Sequence, residues 1–383
     1  MNIIFITSNY PSHVKPNAGT FTHELVHAWV RMGHHCTVIN PLSYFDALRG
    51  GLGYSYSHED ASKDATVEVY RPRYVSASAI KLGFFNTDSI TRLNYNQAVW
   101  KIIKRIDRRL DILYGHFLYP SGGLVANIGW KLGVPSFAAF GDDRLGEGRH
   151  ALARKDFRKI SGIVSVSTRN KLFCENVLNL PPEKIGVFPN GVSSDLFFQR
   201  NRLKMRVKYG FPKGKIIIAF NGHFIHRKGP DRLLEAVKGL DVRLIFLGKG
   251  SIPLEDERII FKGVVTHKQV PEIISASDIF VLPTLSEGSC NAVVEAIACG
   301  LPVISSIGDF NDDILNDDVS LRVDPLNVAQ IREAVLALMN DDQQRLKMSE
   351  AALEFSRNFD INDRARRILA WMEEIIETKS SVS

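Results

Sequence analysis

Two successive series of short apolar runs, each alternating with segments of helical period, most tightly constrain how this chain can fold. Ile3-Ile-Phe-Ile-Thr7 reads as a buried strand, and after a loop with Pro11, Pro16 and Gly19 the residues Phe21, Leu25, Ala28 and Trp29 recur at helical spacing. Gly33 closes that helix and Cys36-Thr-Val-Ile39 is the next strand, which makes a β–α–β unit. The alternation continues through strands ending near His116, Phe140, Val166 and Gly191, with a helix over 121–132. After a charged, irregular stretch at 195–214 a second series begins, with strands at 215–220, 243–247, 259–261, 279–282 and 302–305. Its helices fall at 230–240, 271–277 and 290–299, and from about residue 328 the pattern is helical throughout. Alternation of this kind builds a mostly parallel sheet covered on both faces. The prediction is α/β, with two doubly wound, Rossmann-like domains.

A length of 383 residues also favours two cores over one. The expected division is a first domain over 1–195, joined by the C-terminal helix 360–383, and a second over 196–359. Ligands of such sheets sit beyond the carboxyl ends of the strands, so the site is expected where the two domains face each other. The four cysteines are far apart and form no CxxC pair, so metal or redox use of them is not expected and a reducing cytosol fits. The first apolar run is too short for a secretory leader, and no stretch reaches the roughly 20 apolar residues of a membrane span. The net charge of +6 is uneven: residues 1–195 hold 23 basic against 16 acidic side chains, and the remainder 25 against 26. A basic half selects among nucleic acid, an anionic membrane and an anionic substrate. No nucleic-acid module or interleaved aromatic pattern is present, which disfavours the first.

The richest segment is Pro283-Thr-Leu-Ser-Glu-Gly-Ser-Cys-Asn-Ala-Val-Val-Glu295. A strand ends at Leu282, a loop carries Glu287 and Gly288, and a helix starts near Asn291. The first N–H groups of that helix, over Ser289, Cys290, Asn291, Ala292 and Val293, suit an anion. Gly288 admits a phosphate close to the backbone. Glu287 precedes the helix and Glu295 lies inside it, where a carboxylate can accept from a ribose diol. A solvated loop acid and a solvated helix acid would show the same spacing.

The segment resembles the signature of the retaining glycosyltransferases of family four (glycosyl transferases group 1), which have the GT-B fold. The resemblance extends over Asn17-Ala-Gly-Thr20, Val187-Phe-Pro-Asn-Gly-Val192 and Asn221-Gly-His-Phe-Ile-His-Arg-Lys-Gly229. It continues over Leu244-Ile-Phe-Leu-Gly-Lys-Gly250, Ala276-Ser-Asp-Ile-Phe-Val-Leu-Pro283 and Glu295-Ala-Ile-Ala-Cys-Gly-Leu-Pro-Val303. It implies that Glu287 touches the transferred sugar, Glu295 the ribose hydroxyls and Lys228 the donor diphosphate, where a compact cation meets the charge gained on leaving. It also implies that His116, after the strand ending at Tyr114, contacts the donor sugar, and that Gly19 and Thr20 admit sugar or phosphate. Gly222 and Gly248 would line the donor, and Asn190-Gly191 matches the hinge. Where the family carries an Arg after its glycine, this chain has His223, which leaves the second phosphate cation open between Arg227 and a protonated His223.

Gly141-Asp142-Asp143 invites a metal reading, but the resemblance implies no required metal or other cofactor and puts these residues on the acceptor side. The stretch Trp100-Lys-Ile-Ile-Lys-Arg-Ile-Asp-Arg-Arg-Leu110 reads as one helix with Trp100, Ile103, Ile106 and Leu110 inside and Lys101, Lys104, Arg105, Arg108 and Arg109 outside. Its cationic face is either solvated or set against anionic headgroups, extended by Arg149, Arg154, Lys155, Arg158 and Lys159. The resulting expectation is a cytoplasmic enzyme, peripheral at the inner membrane face in the second case. It would transfer a sugar from a nucleotide-diphosphate donor to a carbohydrate or lipid-linked acceptor in bacterial surface polysaccharide, lipopolysaccharide or glycolipid synthesis. Readings that compete are a GT-B epimerase or phosphorylase and a non-catalytic transferase-like subunit.

Overall fold

The structure is a computed structural model, described here for residues 1–12, 15, 18–45, 56–62, 65–76, 81–82, 85–86, 88–142 and 155–380. Asn17, Asp143, Arg149 and Arg154 of the sequence reading lie outside these. The chain divides into two compact units, one of residues 1–166, 170–188 and 365–383 and one of residues 167–169 and 189–364.

Among the described residues the first unit is built on an eight-stranded sheet: β1 (Asn2–Ile6), β2 (His35–Ile39), β4 (Tyr56–Ser62), β5 (Ala65–Tyr70), β9 (Ile112–Gly115), β10 (Ser136–Phe140), β11 (Gly162–Ser165) and β12 (Ile185–Val187). Their order is β12-β11-β10-β9-β1-β2-β5-β4, and only the β4–β5 pair is antiparallel. Two small sheets pair β3 (Leu42–Ser43) with β6 (Arg73–Tyr74) and β7 (Lys81–Leu82) with β8 (Phe85–Asn86). The central strands are apolar because both faces are covered, and Ile3, Ile4, Phe5 and Ile6 are all buried. Helix α1 (Thr20–Arg31) buries Leu25, Val26, Ala28 and Trp29. Trp29 also donates its indole N–H to Ala365 O at 3.1 Å. Trp371 of the last helix packs on Phe137 and Phe188, with ring centroids 5.8 and 5.6 Å apart.

Helix α2 (Asp88–Ile103) buries Tyr95, Ala98, Val99, Ile102 and Ile103 and ends there. The expectation of one helix through Leu110 is therefore corrected: Ile106 and Leu110 are off the helix. The tightening bonds Arg105 N–H to Ile102 O (2.9 Å) and Ile106 N–H to Ile103 O (3.2 Å) close the last turn. The chain must then turn into β9, where Asp111 accepts from Asn2 N–H at 2.8 Å. Two of the basic side chains meet acids, Arg108 at 3.2 Å from Glu68 and Arg109 at 3.6 Å from Asp111. Helix α3 (Gly123–Leu132) starts two residues later than expected because a π turn occupies Leu118–Gly122.

The second unit carries six parallel strands: β13 (Ile216–Asn221), β14 (Val242–Leu247), β15 (Ile259–Gly263), β16 (Ile279–Leu282), β17 (Val303–Ser306) and β18 (Ser320–Val323). Their order is β15-β14-β13-β16-β17-β18, with β13 and β16 at the centre where the direction of winding reverses. Asp278, ahead of β16, is buried and holds three donors: Ile217 N–H at 2.7 Å, Arg206 at 2.6 Å and Arg202 at 2.5 Å. That network fixes the edge opposite the site. No described helix is long and apolar enough to cross a membrane.

Candidate functional site

The site grows from the carboxyl ends of the two central strands of the second sheet. β13 ends at Asn221, and Gly222 N–H bonds Leu247 O at 2.9 Å, which brings the β13 and β14 exits together. Gly248 must be glycine there. Its φ is +135°, and a Cβ would stand 2.0 Å from Gly222 O. From Gly222 the loop runs through an exposed His223 to Arg227 and Lys228, and Leu285 N–H bonds Arg227 O at 2.8 Å. The loop after β13 is thus stitched to the loop after β16.

That stitching sets the charges. Lys228 Nζ donates to Glu287 Oε1, and Thr284 Oγ1 donates to the same oxygen at 2.7 Å. Arg227 Nη1 donates to Ser286 O at 2.6 Å and stands 3.5 Å from Glu287 Oε2. Both members of the Lys228–Glu287 pair are largely buried, at 12% and 11% side-chain exposure, so their attraction is screened little by water. Glu287 precedes the helix α4 (Asn291–Ala298). Val293 N–H is turned to Cys290 O at 3.1 Å, so the donors left for an anion are those ahead of it, which narrows the expected run over 289–293. Burial pushes the Cys290 thiol up to about 11, which keeps it uncharged beside Glu287. Asn190 reaches the same helix start, with Nδ2 2.8 Å from Asn291 Oδ1 and its N–H 3.3 Å from Ser289 Oγ.

Glu295, about one turn into that helix, accepts from Asn221 Nδ2 at 3.1 Å and has His267 Nε2 at 3.6 Å. The sequence alone assigns no role to Asn221, Thr284 or His267. Asn221 and Thr284 stand at strand exits inside segments already singled out. His267 follows β15 by four residues, and no spacing signal marks it.

The first unit holds its own set at the carboxyl ends of β1, β9 and β10. Gly19 precedes α1 with φ +66°, and a Cβ there would lie 2.1 Å from Asn9 O, while Thr20 is the first helical residue. His116 is buried, with its N–H on Ile6 O at 2.8 Å and its ring 5.3 Å from that of Phe21 and 4.7 Å from that of Phe117. Gly141 and Asp142 follow β10, and Asp142 O accepts from Asn170 Nδ2 at 3.0 Å.

The family model described as Glycosyl transferases group 1 matches residues 201–355, and that described as Glycosyltransferase Family 4 matches residues 18–196. TuaC of Bacillus subtilis, a glycosyltransferase provisionally assigned to teichuronic acid biosynthesis, is 26% identical and the match covers 100% of both chains. Among solved structures, sucrose-phosphate synthase of Thermosynechococcus elongatus superposes with a TM-score of 0.77 at 16% identity, covering 100% of each chain. HepE of Anabaena, solved in complex with UDP-glucose, gives a TM-score of 0.71 at 15% identity, again covering 100% of each. These likenesses show the fold, which is GT-B.

Proposed function

The chain belongs to the glycosyl transferases of group 1, and from that premise we propose that it moves a sugar from a nucleoside diphosphate to a hydroxyl of a carbohydrate or lipid-linked acceptor. One observation carries the reading of the site: a buried Lys228–Glu287 pair stands ahead of a helix start, with Glu295 about one turn into that helix and bonded by Asn221 from the end of β13. The spacing suits a ligand with a sugar at one end, a diphosphate in the middle and a ribose at the other.

In this reading Lys228 meets the diphosphate, whose charge grows as the glycosidic bond breaks, and Arg227 supplies the second cation. Arg227 already reaches the Glu287 loop, whereas His223 is exposed. Glu287, still held by Thr284 when Lys228 turns to phosphate, faces the sugar. Glu295 accepts from the ribose hydroxyls. The reaction proceeds with retention and needs no metal at the diphosphate, and the leaving phosphate helps remove the acceptor's proton. By the family resemblance, His116 contacts the donor sugar, Gly19 and Thr20 admit sugar or phosphate, and Gly141 and Asp142 belong to the acceptor side.

The relative's place in teichuronic acid synthesis supports a role in bacterial surface polysaccharide or glycolipid assembly. The basic first half suits work against anionic headgroups on the inner membrane face; there Trp130 is exposed with Lys159 4.8 Å over its ring. Purified protein incubated with a panel of nucleotide sugars should release nucleoside diphosphate slowly from one or two of them. Release from none, together with no thermal stabilisation by any, would refute the reading. Salt-sensitive sedimentation with anionic but not neutral vesicles is expected, and equal binding to both removes the membrane part.

A further inference from the structure

Among the described residues one compact group of metal-ligating side chains stands out, and it lies in the first unit: His23, His27 and Glu59. Residues four apart on a helix share a face, so α1 presents both imidazoles together. The antiparallel β4–β5 pair lays Glu59 over that face. The three ligand atoms all fall within 4.8 Å of one another. His23 Nε2 and His27 Nε2 stand 3.7 and 3.8 Å from the same carboxylate oxygen, Glu59 Oε2. The two rings stack with centroids 3.7 Å apart, so the imidazoles lie side by side against Glu59.

These distances can be set against what a metal needs. Bonds of about 2.0–2.2 Å to nitrogen and oxygen in a tetrahedron place neighbouring ligand atoms about 3.3–3.5 Å apart. The observed separations from Glu59 are a few tenths longer, within reach of small side-chain rotations. His27 is buried, and its Nε2 makes no hydrogen bond. A buried imidazole nitrogen aimed at a carboxylate, too far to bond it, is the arrangement a bound cation would complete.

The outer contacts fit as well. Arg71 Nη2 donates to the other carboxylate oxygen, Glu59 Oε1, at 3.0 Å and to Pro11 O at 3.1 Å, while its Nη1 donates to Ser57 Oγ at 2.6 Å. Tyr10 donates to Oε2 at 3.2 Å. Such partners orient a ligating carboxylate and leave one oxygen directed inward. Arg71 also places a positive charge nearby, which disfavours weakly directional oxygen-seeking cations and favours a metal that bonds imidazole strongly.

We propose that His23, His27 and Glu59 bind a divalent transition-metal ion of the zinc class, with water in the fourth position. The ion ties α1 to the β4–β5 hairpin and takes no part in the chemistry at the diphosphate. Because α1 begins at Gly19 and Thr20, it also steadies the start of the helix that opens the first unit's candidate sugar loop.

The test uses untagged full-length protein, stripped with a chelator and titrated with Zn²⁺ alone, and separately with Co²⁺ as a spectroscopic probe. One equivalent of Zn²⁺ per chain is expected to bind and raise the unfolding temperature, and Co²⁺ should give the intense visible bands of a tetrahedral site. His23→Gln, at a partly exposed position, and the isosteric Glu59→Gln should each weaken binding by at least about tenfold and abolish those bands. Lys228→Ala should bind metal like the wild type, which separates this result from the fate of the transferase reading. Binding unchanged in both His23→Gln and Glu59→Gln, an octahedral Co²⁺ spectrum, or no binding by the wild type would each overturn the proposal.

Discussion

Replacing Lys228 by alanine is the perturbation whose consequences follow most directly from the geometry. Its ammonium sits on Glu287, which keeps two other partners, Thr284 Oγ1 at 2.7 Å and Arg227 at 3.5 Å. Removing one member of a buried pair costs about 3–5 kcal/mol when the other is stranded. Here Glu287 is not stranded, so a loss of only about 1–3 kcal/mol is expected, comparable to a hydrogen bond to a charged group. The unit should therefore still fold, as circular dichroism and a urea melt would record. Turnover should suffer more. A charged donor aimed at a developing oxyanion in a water-poor site is worth about 2.7–4 kcal/mol, so kcat should fall by about 10²–10³. Lys228→Arg should recover part of it, since charge is retained but the compact ammonium is lost. A kcat within about tenfold of wild type in Lys228→Ala, under 1.4 kcal/mol, would refute the assignment of Lys228 to the leaving group.

Other consequences are as concrete. Glu295→Gln should weaken donor binding by about 10–100-fold in Kd, measured by calorimetry, with a smaller effect on kcat, because a ribose contact is present in ground and transition states alike. Gly248→Ala should lower the unfolding temperature and donor affinity together, since its Cβ would strike Gly222 O at 2.0 Å. Asp278→Asn, with three donors around the group, should cost about 3–5 kcal/mol in a urea melt. All four cysteines are buried, and burial pushes Cys36, Cys174 and Cys299 up to about 12 and Cys290 to about 11. A thiol reagent at neutral pH should accordingly label none of them until the chain is unfolded.

What could be read in the sequence was whatever burial writes into composition. Strands covered on both faces, such as Ile3–Ile6 and Ile279–Leu282, are nearly all apolar and locate themselves. Tyr56–Ser62 is the opposite case. Its side chains alternate between exposed and half-buried, and its inward positions are Ser57, Glu59 and Ala61, so no apolar alternation marks it. The end of helix α2 is not legible in the sequence because Ile106 and Leu110 keep the helical period by coincidence, while the exit into β9 is decided by backbone bonds and by Asp111.

The site shows the same division. Glu287, Lys228 and Glu295 stand in motif segments, and the strand-end rule placed them on one edge. Their partners are set by how two loops are stitched together, and the bond from Leu285 N–H to Arg227 O has no counterpart in spacing. The side chains that meet Glu295, from Asn221 and His267, come from 74 residues upstream and from the exit of β15. The His23–His27–Glu59 group depends on a hairpin the sequence does not announce, so the helical pair alone reads as ordinary core.

The central claim is that the Lys228, Glu287 and Glu295 edge of the second unit is a nucleoside-diphosphate site. Its most direct test is calorimetric titration of the wild type, Lys228→Ala and Glu295→Gln with nucleoside diphosphates and the matching nucleosides. The expected result is one diphosphate bound at a single site, with Lys228→Ala losing the advantage of diphosphate over nucleoside and Glu295→Gln losing affinity for both. Wild-type binding of no diphosphate, or equal binding by all three proteins, would contradict it.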